Sequence, residues 1–242
     1  MRCLILALVL VIFGCKNLAA QTWDLVEQPP HAKSVVKIIS SDSSGGSGAV
    51  VKKLADSKDY EGFYLGLIVT ASHCVSSMEV TFHVVFFDGS ITKNAIPVKD
   101  LEIRNDPGND LAVIKALIPN SVPVTEISSA SPKCDEEVLL SGYGAGEVRH
   151  WSAKYGGRNM MTLSHIIFSW AIQGDSGGPV VYNGKIVGVI CYGDGIKRYK
   201  ETKRMIVGPI YSSNILRIKE FIDEYKTTPP APLLNLTKES KK

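Results

Sequence analysis

Apolar residues in this chain come in short runs broken by glycine, proline and charge, the spacing of strands rather than helices. Residues 34–39 form a β-branched run that predicts a first strand. Ser43-Ser44-Gly45-Gly46-Ser47-Gly48 reads as a flexible turn, and residues 49–52 begin a second strand. Residues 53–61 are polar and charged, a hairpin loop; residues 64–70 are strongly apolar and lead to His73. Residues 80–87 make a strand closed by Asp88-Gly89, a hairpin signal, with residues 91–98 as partner. Residues 101–104 continue the meander, Asn105-Asp106-Pro107-Gly108 is a turn, and residues 111–118 are the next strand.

The later half repeats the rhythm. Residues 137–140 are a strand followed by Ser141-Gly142-Tyr143-Gly144, and residues 149–160 read as a polar loop containing Gly156-Gly157. Residues 161–170, 180–182, 185–192 and 205–211 are further strands, the middle pair joined by an Asn183-Gly184 turn. This suits an all-β barrel architecture. One stretch departs from it: Ile215, Ile218, Phe221 and Ile222 recur at helical spacing behind Asn214, a good N-cap. Residues 227–242 carry three prolines, at 229, 230 and 232, end in lysines, and read as a disordered tail.

At 242 residues the chain makes one large or two small domains, and its apolar content is enough for a sizeable core. A net charge of +3 is too small to argue for nucleic acid as a partner. Arg2 precedes an unbroken apolar run over residues 4–13, too short to span a bilayer, so residues 1–20 read as a secretory signal and 21–33 as a leader. Two processing sites stay open. Ile12-Phe13-Gly14-Cys15 resembles a bacterial lipobox, which would place a lipid on Cys15 and tether the chain without spanning the membrane. Leu18-Ala19-Ala20 before Gln21 suits ordinary cleavage, and an uncleaved anchor is the third reading. Beyond this segment lie Cys74, Cys134 and Cys191, an odd set with no obvious pairing; Cys134–Cys191 and Cys74–Cys191 bridges both remain open.

Chemistry concentrates at Gly174-Asp175-Ser176-Gly177-Gly178-Pro179. A serine hydroxyl is a poor nucleophile unless held against a base, with donors ready for the oxyanion. Ser176 would supply the attacking oxygen. Gly174 lets the backbone turn so that the amides of Gly174 and Ser176 point into one hollow, and Gly177 and Gly178 read as room for a substrate carbonyl.

This hexapeptide resembles the nucleophile loop of trypsin-like, chymotrypsin-fold serine peptidases. Thr70-Ala71-Ser72-His73-Cys74 resembles their histidine motif, and Asn109-Asp110-Leu111-Ala112-Val113 their aspartate motif, in the chain order of that fold. The resemblance covers roughly residues 33 to 225. It implies two six-stranded antiparallel β-barrels, over residues 34–118 and 135–212, with a crossover at 119–134 and a C-terminal helix at 213–226. It also implies a serine endopeptidase acting through an acyl-enzyme, with His73, Asp110 and Ser176 catalytic and the Gly174 and Ser176 amides as oxyanion hole. Asp106 is a nearby competitor for Asp110. The Gly-Ser-Gly step before the histidine motif is more like bacterial HtrA-type enzymes than animal digestive ones, but no segment of PDZ size follows the barrels.

The same resemblance puts Trp170 where the family sets the floor of its primary pocket. With no acid there, cleavage after Lys or Arg is not expected; Trp170 either fills the pocket or points elsewhere. Cys191, Tyr192 and Gly193 resemble the strand that pairs with substrate backbone. In zymogen-type members the residue matching Asp175 pairs with a new N-terminus, yet no basic residue followed by Ile-Val-Gly-Gly occurs here. Another cation or donor is therefore expected at Asp175, in a chain that folds directly into its active form.

His31, His83, His150 and His165 look isolated and structural; no metal spacing is present, and no metal or cofactor is implied. Lys197, Arg198, Lys200, Lys203 and Arg204 read as a solvated hairpin loop, with attraction of acidic substrate residues as the alternative. The expected partner is a protein or peptide substrate, in a secreted or periplasmic setting. An inactive peptidase-like protein that holds peptides in the same cleft is the alternative function. For an enzyme, the ordinary imidazole value predicts activity fading near pH ~6 to 7.

Overall fold

The computed structural model describes residues 25–40, 45–57, 61–75, 82–92, 104–106, 110–158, 164–193, 196–198, 205–207 and 210–225. The signal segment, the basic run beyond Arg198 and the proline-containing tail lie outside these residues, as does Asn109.

The first half is a seven-stranded antiparallel sheet built from β1 (Val35–Ser40), β2 (Gly45–Asp56), β3 (Phe63–Thr70), β4 (Phe82–Val85), β5 (Ile91–Thr92), β6 (Arg104–Asp106) and β7 (Leu111–Pro119). Its order is β5-β4-β1-β2-β3-β7-β6. The chain between the two edge strands, residues 93–103, is outside the described set. Six strands were expected in each half: the first has seven, and the second is a closed barrel of six. Its members are β8 (Glu137–Gly142), β9 (Arg149–Arg158), β10 (His165–Phe168), β11 (Pro179–Tyr182), β12 (Lys185–Gly193) and β15 (Ile210–Asn214). Strands β13 (Ile196–Arg198) and β14 (Met205–Val207) pair apart from it.

Strand β3 is central and nearly all apolar because it is paired on both sides and covered on both faces; every residue from Tyr64 to Thr70 is buried. The β11–β12 hairpin turns at Asn183-Gly184, with φ 50° and 75°, the paired left-handed angles that this dipeptide supplies most cheaply. The larger core joins β1–β4 and β7 to Val181, Ile186, Val189, Ile215 and Ile222 of the second half. A second core fills the barrel around Trp151, Leu140 and Ile167.

Four local expectations change. Asn105 and Asp106 belong to β6, paired with Ala112 and Leu111, rather than to a turn. The Gly45–Gly48 stretch is not a turn: it is the start of β2, in register with β1 through Ile39↔Gly45 and Val36↔Gly48. Residues 149–160 are not a polar loop, since β9 covers most of them. Trp151, Ala153 and Tyr155 point inward between more exposed Ser152 and Lys154, a period-two pattern hidden by the surrounding charge and glycine. Asn214 closes β15 rather than capping the helix, which runs as α1 (Leu216–Glu224). The last carbonyls of α1 accept from the Lys52 ammonium on β2, at Ile222, at Asp223 (3.3 Å) and at Tyr225 (3.4 Å). A cation on those carbonyls satisfies a helix end and ties it to the first sheet.

Candidate active site

His73 and Asp110 come off the ends of neighbouring strands. Strand β3 ends at Thr70, and a tight turn over Ser72–Cys74 presents His73 while Ala71 and Cys74 are buried. Thr70 is in register with Ala112 on β7, so Asp110, two residues before Ala112, falls beside that turn. One carboxylate oxygen of Asp110 is 2.8 Å from His73 Nδ1, and the other accepts from the His73 backbone amide at 3.0 Å. Asp110, not Asp106 of β6, is thus the carboxylate on His73. This grip puts the neutral ring's proton on Nδ1 and makes Nε2 the basic nitrogen. The Asp110 hydrogen bond, helped by Cys74 and opposed by burial, raises His73 well above the ordinary imidazole value of 6.5.

The loop carrying Ser176 runs between β10 and β11, with Gly174 at φ 101° and Gly177 at φ 85°. It is held from the other half of the molecule by Ser47, a residue whose glycine-flanked setting reads as a turn and gives no hint of this role. The Ser47 amide donates to the Ser176 carbonyl (2.7 Å), and its hydroxyl donates to the Gly174 carbonyl (2.7 Å). That same hydroxyl accepts from the Tyr143 amide (2.8 Å), and the Ser47 carbonyl accepts from Thr70 (2.7 Å). The close approach explains the glycines. A Cβ on Gly177 would lie 2.0 Å from the Ser47 carbonyl oxygen, and one on Gly178 2.0 Å from that of Ser141. Their missing side chains admit the protein's own backbone, not a substrate carbonyl as expected.

His73 and Ser176 line one open cleft of about 740 Å³, together with Gly174, Gln173, Tyr143 and residues of β1. The imidazole of the first half and the alcohol of the second therefore share a cavity. Among the described residues, no backbone carbonyl takes the amide of Gly174 or of Ser176. The Ser176 hydroxyl lies 3.4 Å from the Cys191 carbonyl.

Asp175 has no exposed surface, and its partner is Arg149 at the start of β9. The guanidinium contacts both carboxylate oxygens, Nε at 3.2 Å from Oδ1 and Nη2 on Oδ2, while the Ile172 amide donates to Oδ2 at 2.8 Å. Two indoles cover the cation, Trp151 at 4.5 Å and Trp170 at 4.2 Å from ring centre to guanidinium carbon, and those rings stack on each other. Arg149 escapes sequence reasoning because its strand has the look of a loop. Trp170 is committed to this cluster.

Cys191 also faces inward. Its thiol lies against Ser213 and 3.7 Å from the Asp110 carbonyl, and burial pushes it up to about 12, so it stays a neutral thiol. Its side chain supports Asp110 from behind and does not face substrate. Tyr192 and Gly193 pair with Tyr211 and Ile210 of β15; on the other edge β11 reaches β12 as far as Val189, and the nucleophile loop continues at Ile190, whose carbonyl accepts from the Gly177 amide (2.7 Å) and whose amide donates to the Gly178 carbonyl (2.9 Å). Cys74, Cys134 and Cys191 are all free, so neither candidate bridge forms.

His31 and His150 are not isolated. Both are buried and both reach the Ser141 hydroxyl, each at 2.7 Å. Burial, then His150, lowers His31 to about 4; burial lowers His150 too. His165 is buried under Tyr155 and lowered to about 4, by burial first and Arg158 second. Among the described residues no cluster of three or more His, Cys, Asp or Glu could hold a metal.

A profile of the trypsin-like peptidase domain matches residues 46–189, more than half of the chain. The chain belongs to the trypsin-like peptidase family. Trypsin alpha-4 of Lucilia cuprina is 25% identical over 164 residues, covering 53% of this chain and 64% of that protein. Trypsin delta of Drosophila erecta is 26% identical over 165 residues, with 53% and 65% covered. The chain thus spans a little under two thirds of the length of these trypsins. Among solved structures, the serine endoprotease from Yersinia pestis superposes with a TM-score of 0.60 at 18% identity, covering 80% of this chain and 62% of that one. An HtrA-type protease with a tripeptide gives 0.58 at 19%, covering 79% and 60%. At these identities the likeness to solved structures is one of fold.

Arg149→Met should lower the unfolding free energy by about 3–5 kcal/mol, because it leaves a buried carboxylate without its cation. The double variant Arg149→Met/Asp175→Asn should recover much of that loss. Urea titrations of the three proteins measure both effects, and equal midpoints would show the pair to be energetically idle.

Proposed function

We propose that this chain is a serine endopeptidase that cleaves peptide bonds through an acyl-enzyme. The observation that carries the reading is the doubly held Asp110–His73 pair opening on the same cleft as Ser176. In this mechanism His73 takes the proton of the Ser176 hydroxyl as oxygen attacks the substrate carbonyl. The Gly174 and Ser176 amides receive the developing oxyanion, and His73 returns the proton to the leaving amine. Water then repeats the sequence on the ester. Asp110 keeps the imidazole in one tautomer and balances its charge while it is protonated.

Arg149 stands where a zymogen-type relative would bring a new N-terminus to the aspartate before the serine. An internal cation arrives with folding, which supports a chain active without a second cleavage. The N-terminal apolar run supports a secreted or periplasmic setting, with Cys15 as tether if it is lipidated. Among the described residues no helix is long and apolar enough to cross a membrane. The stretch of β12 that passes the Ser176 hydroxyl, from Cys191 to Gly193, supports a substrate lying there as an added strand.

A fluorophosphonate probe should label the wild type and not Ser176→Ala. Absence of labelling in both would favour a peptide-binding protein that has kept the cleft without the chemistry. The activity–pH profile follows from the sign of the His73 shift. A base must be neutral to act, and a raised value moves the acid limb of kcat/KM above pH 6.5, higher than ordinary imidazole predicts. Asp110→Asn should bring that limb down and cut kcat by about 10⁴-fold. An unmoved limb would remove Asp110 from the proposed role. Mass spectrometry of the active protein should find the N-terminus left by signal removal; activity appearing only after a second cut within residues 21–45 would refute activation by Arg149.

A further inference from the structure

His73 and Ser176 open on a cleft whose described lining lies away from β12. Its lining comes from β1, the start of β2, the His73 turn, the 143–146 segment and the nucleophile loop, with no contribution from β12. Under the endopeptidase reading, on which the subsite assignment depends, the acyl half of the substrate lies along β12. The half that leaves must then pass through this cleft.

Two features give the cleft a chemical preference. Lys37 and His73 are its basic groups, and none of its described lining residues carries a carboxylate. Lys37 shares one face of β1 with Ile39, both half-exposed, while Val36 and Ile38 between and before them are buried. An aliphatic side chain thus flanks the ammonium. The Lys37 nitrogen is 3.4 Å from the Gly146 carbonyl, a long contact on an exposed atom that costs little to exchange for a carboxylate.

The position of Lys37 fits a substrate of ordinary reach. Lys37 is in register with Ser47, whose amide binds the Ser176 carbonyl. Lys37 therefore lies one strand spacing, about 4.8 Å, beyond the residue that touches the nucleophile loop. An extended peptide advances about 3.3 Å per residue, so its first two or three residues after the cut pass this lysine. On the opposite side, Trp170 is committed to Arg149 and offers no charge for recognition.

We propose that Lys37 selects a Glu or Asp within the first three residues after the scissile bond. An exposed ion pair is weak, so the preference is modest: roughly fivefold or less for Glu over Gln, and more for Glu over Lys. It fades with salt.

The test uses internally quenched peptides with one acyl sequence and Glu, Gln or Lys at each of the first three positions after the cut. The mature wild type, Lys37→Met and Lys37→Glu are compared at low and high salt, with fluorophosphonate labelling as an independent reading of Ser176. The expected result is a Glu preference at one position in the wild type, a flat response in Lys37→Met and a Lys preference in Lys37→Glu. Variants that label and cleave yet keep the wild-type ranking overturn the subsite and leave the hydrolase reading standing. A wild type that neither labels nor cleaves overturns both. Should Lys37→Glu fail to label, Lys37→Met decides, because it adds no charge.

Discussion

A carboxylate without access to water sits immediately before Ser176, and the shape of the loop follows from how that charge is met. Left alone, a buried carboxylate costs several kcal/mol, enough to force a different loop. Here Arg149 meets it with two hydrogen bonds, and a loop amide supplies a third. The guanidinium is planar and weakly hydrated, so its outer surface can be covered by Trp151 and Trp170 without losing hydrogen bonds. The conformation of the 172–176 segment and the packing of two tryptophans are one arrangement. It fixes the direction in which the Gly174 and Ser176 amides point.

The second constraint is the seam between the halves. Ser47 spends its amide, hydroxyl and carbonyl on the nucleophile loop, on Tyr143 and on Thr70, all within the buried interface. Glycine at 177 lets the backbones meet there. The larger hydrophobic core crosses the same interface, so the position of His73 relative to Ser176 is set by packed strands rather than by a loose hinge. A catalytic geometry shared between two units is only as good as the contact between them, and here that contact combines close backbone approach with a continuous apolar core.

Much of this is legible in the sequence, for identifiable reasons. Strands with strong apolar runs, such as β3, β7 and β12, stand out because burial on both faces writes itself into consecutive residues. The hairpin at Asn183-Gly184 stands out because left-handed backbone angles demand those residue types. Elsewhere the local signals are weak or conflicting. The glycines at 45–48 look like a turn in isolation, but β1 captures them into a strand. Charge and Gly156-Gly157 mask the alternation in β9, and with it Arg149. Asn214 is a good cap that the β15 ladder claims first. His31 and His150 are 119 positions apart, and no local pattern says that they meet at one hydroxyl.

Residue types and their order alone determined that this is an all-β chain with a serine, a histidine and an aspartate set in family motifs, because those motifs are contiguous and their backbone requirements are local. The folded molecule decided which carboxylate grips His73, which cation neutralises Asp175, and that Gly177 and Gly178 make space for the protein itself. It also put Lys37 in the lining of the cleft that holds Ser176. Each of these depends on distances between strands far apart in the chain. Such distances are fixed by sheet register and by the packing of one half on the other, neither of which leaves a mark on neighbouring residues.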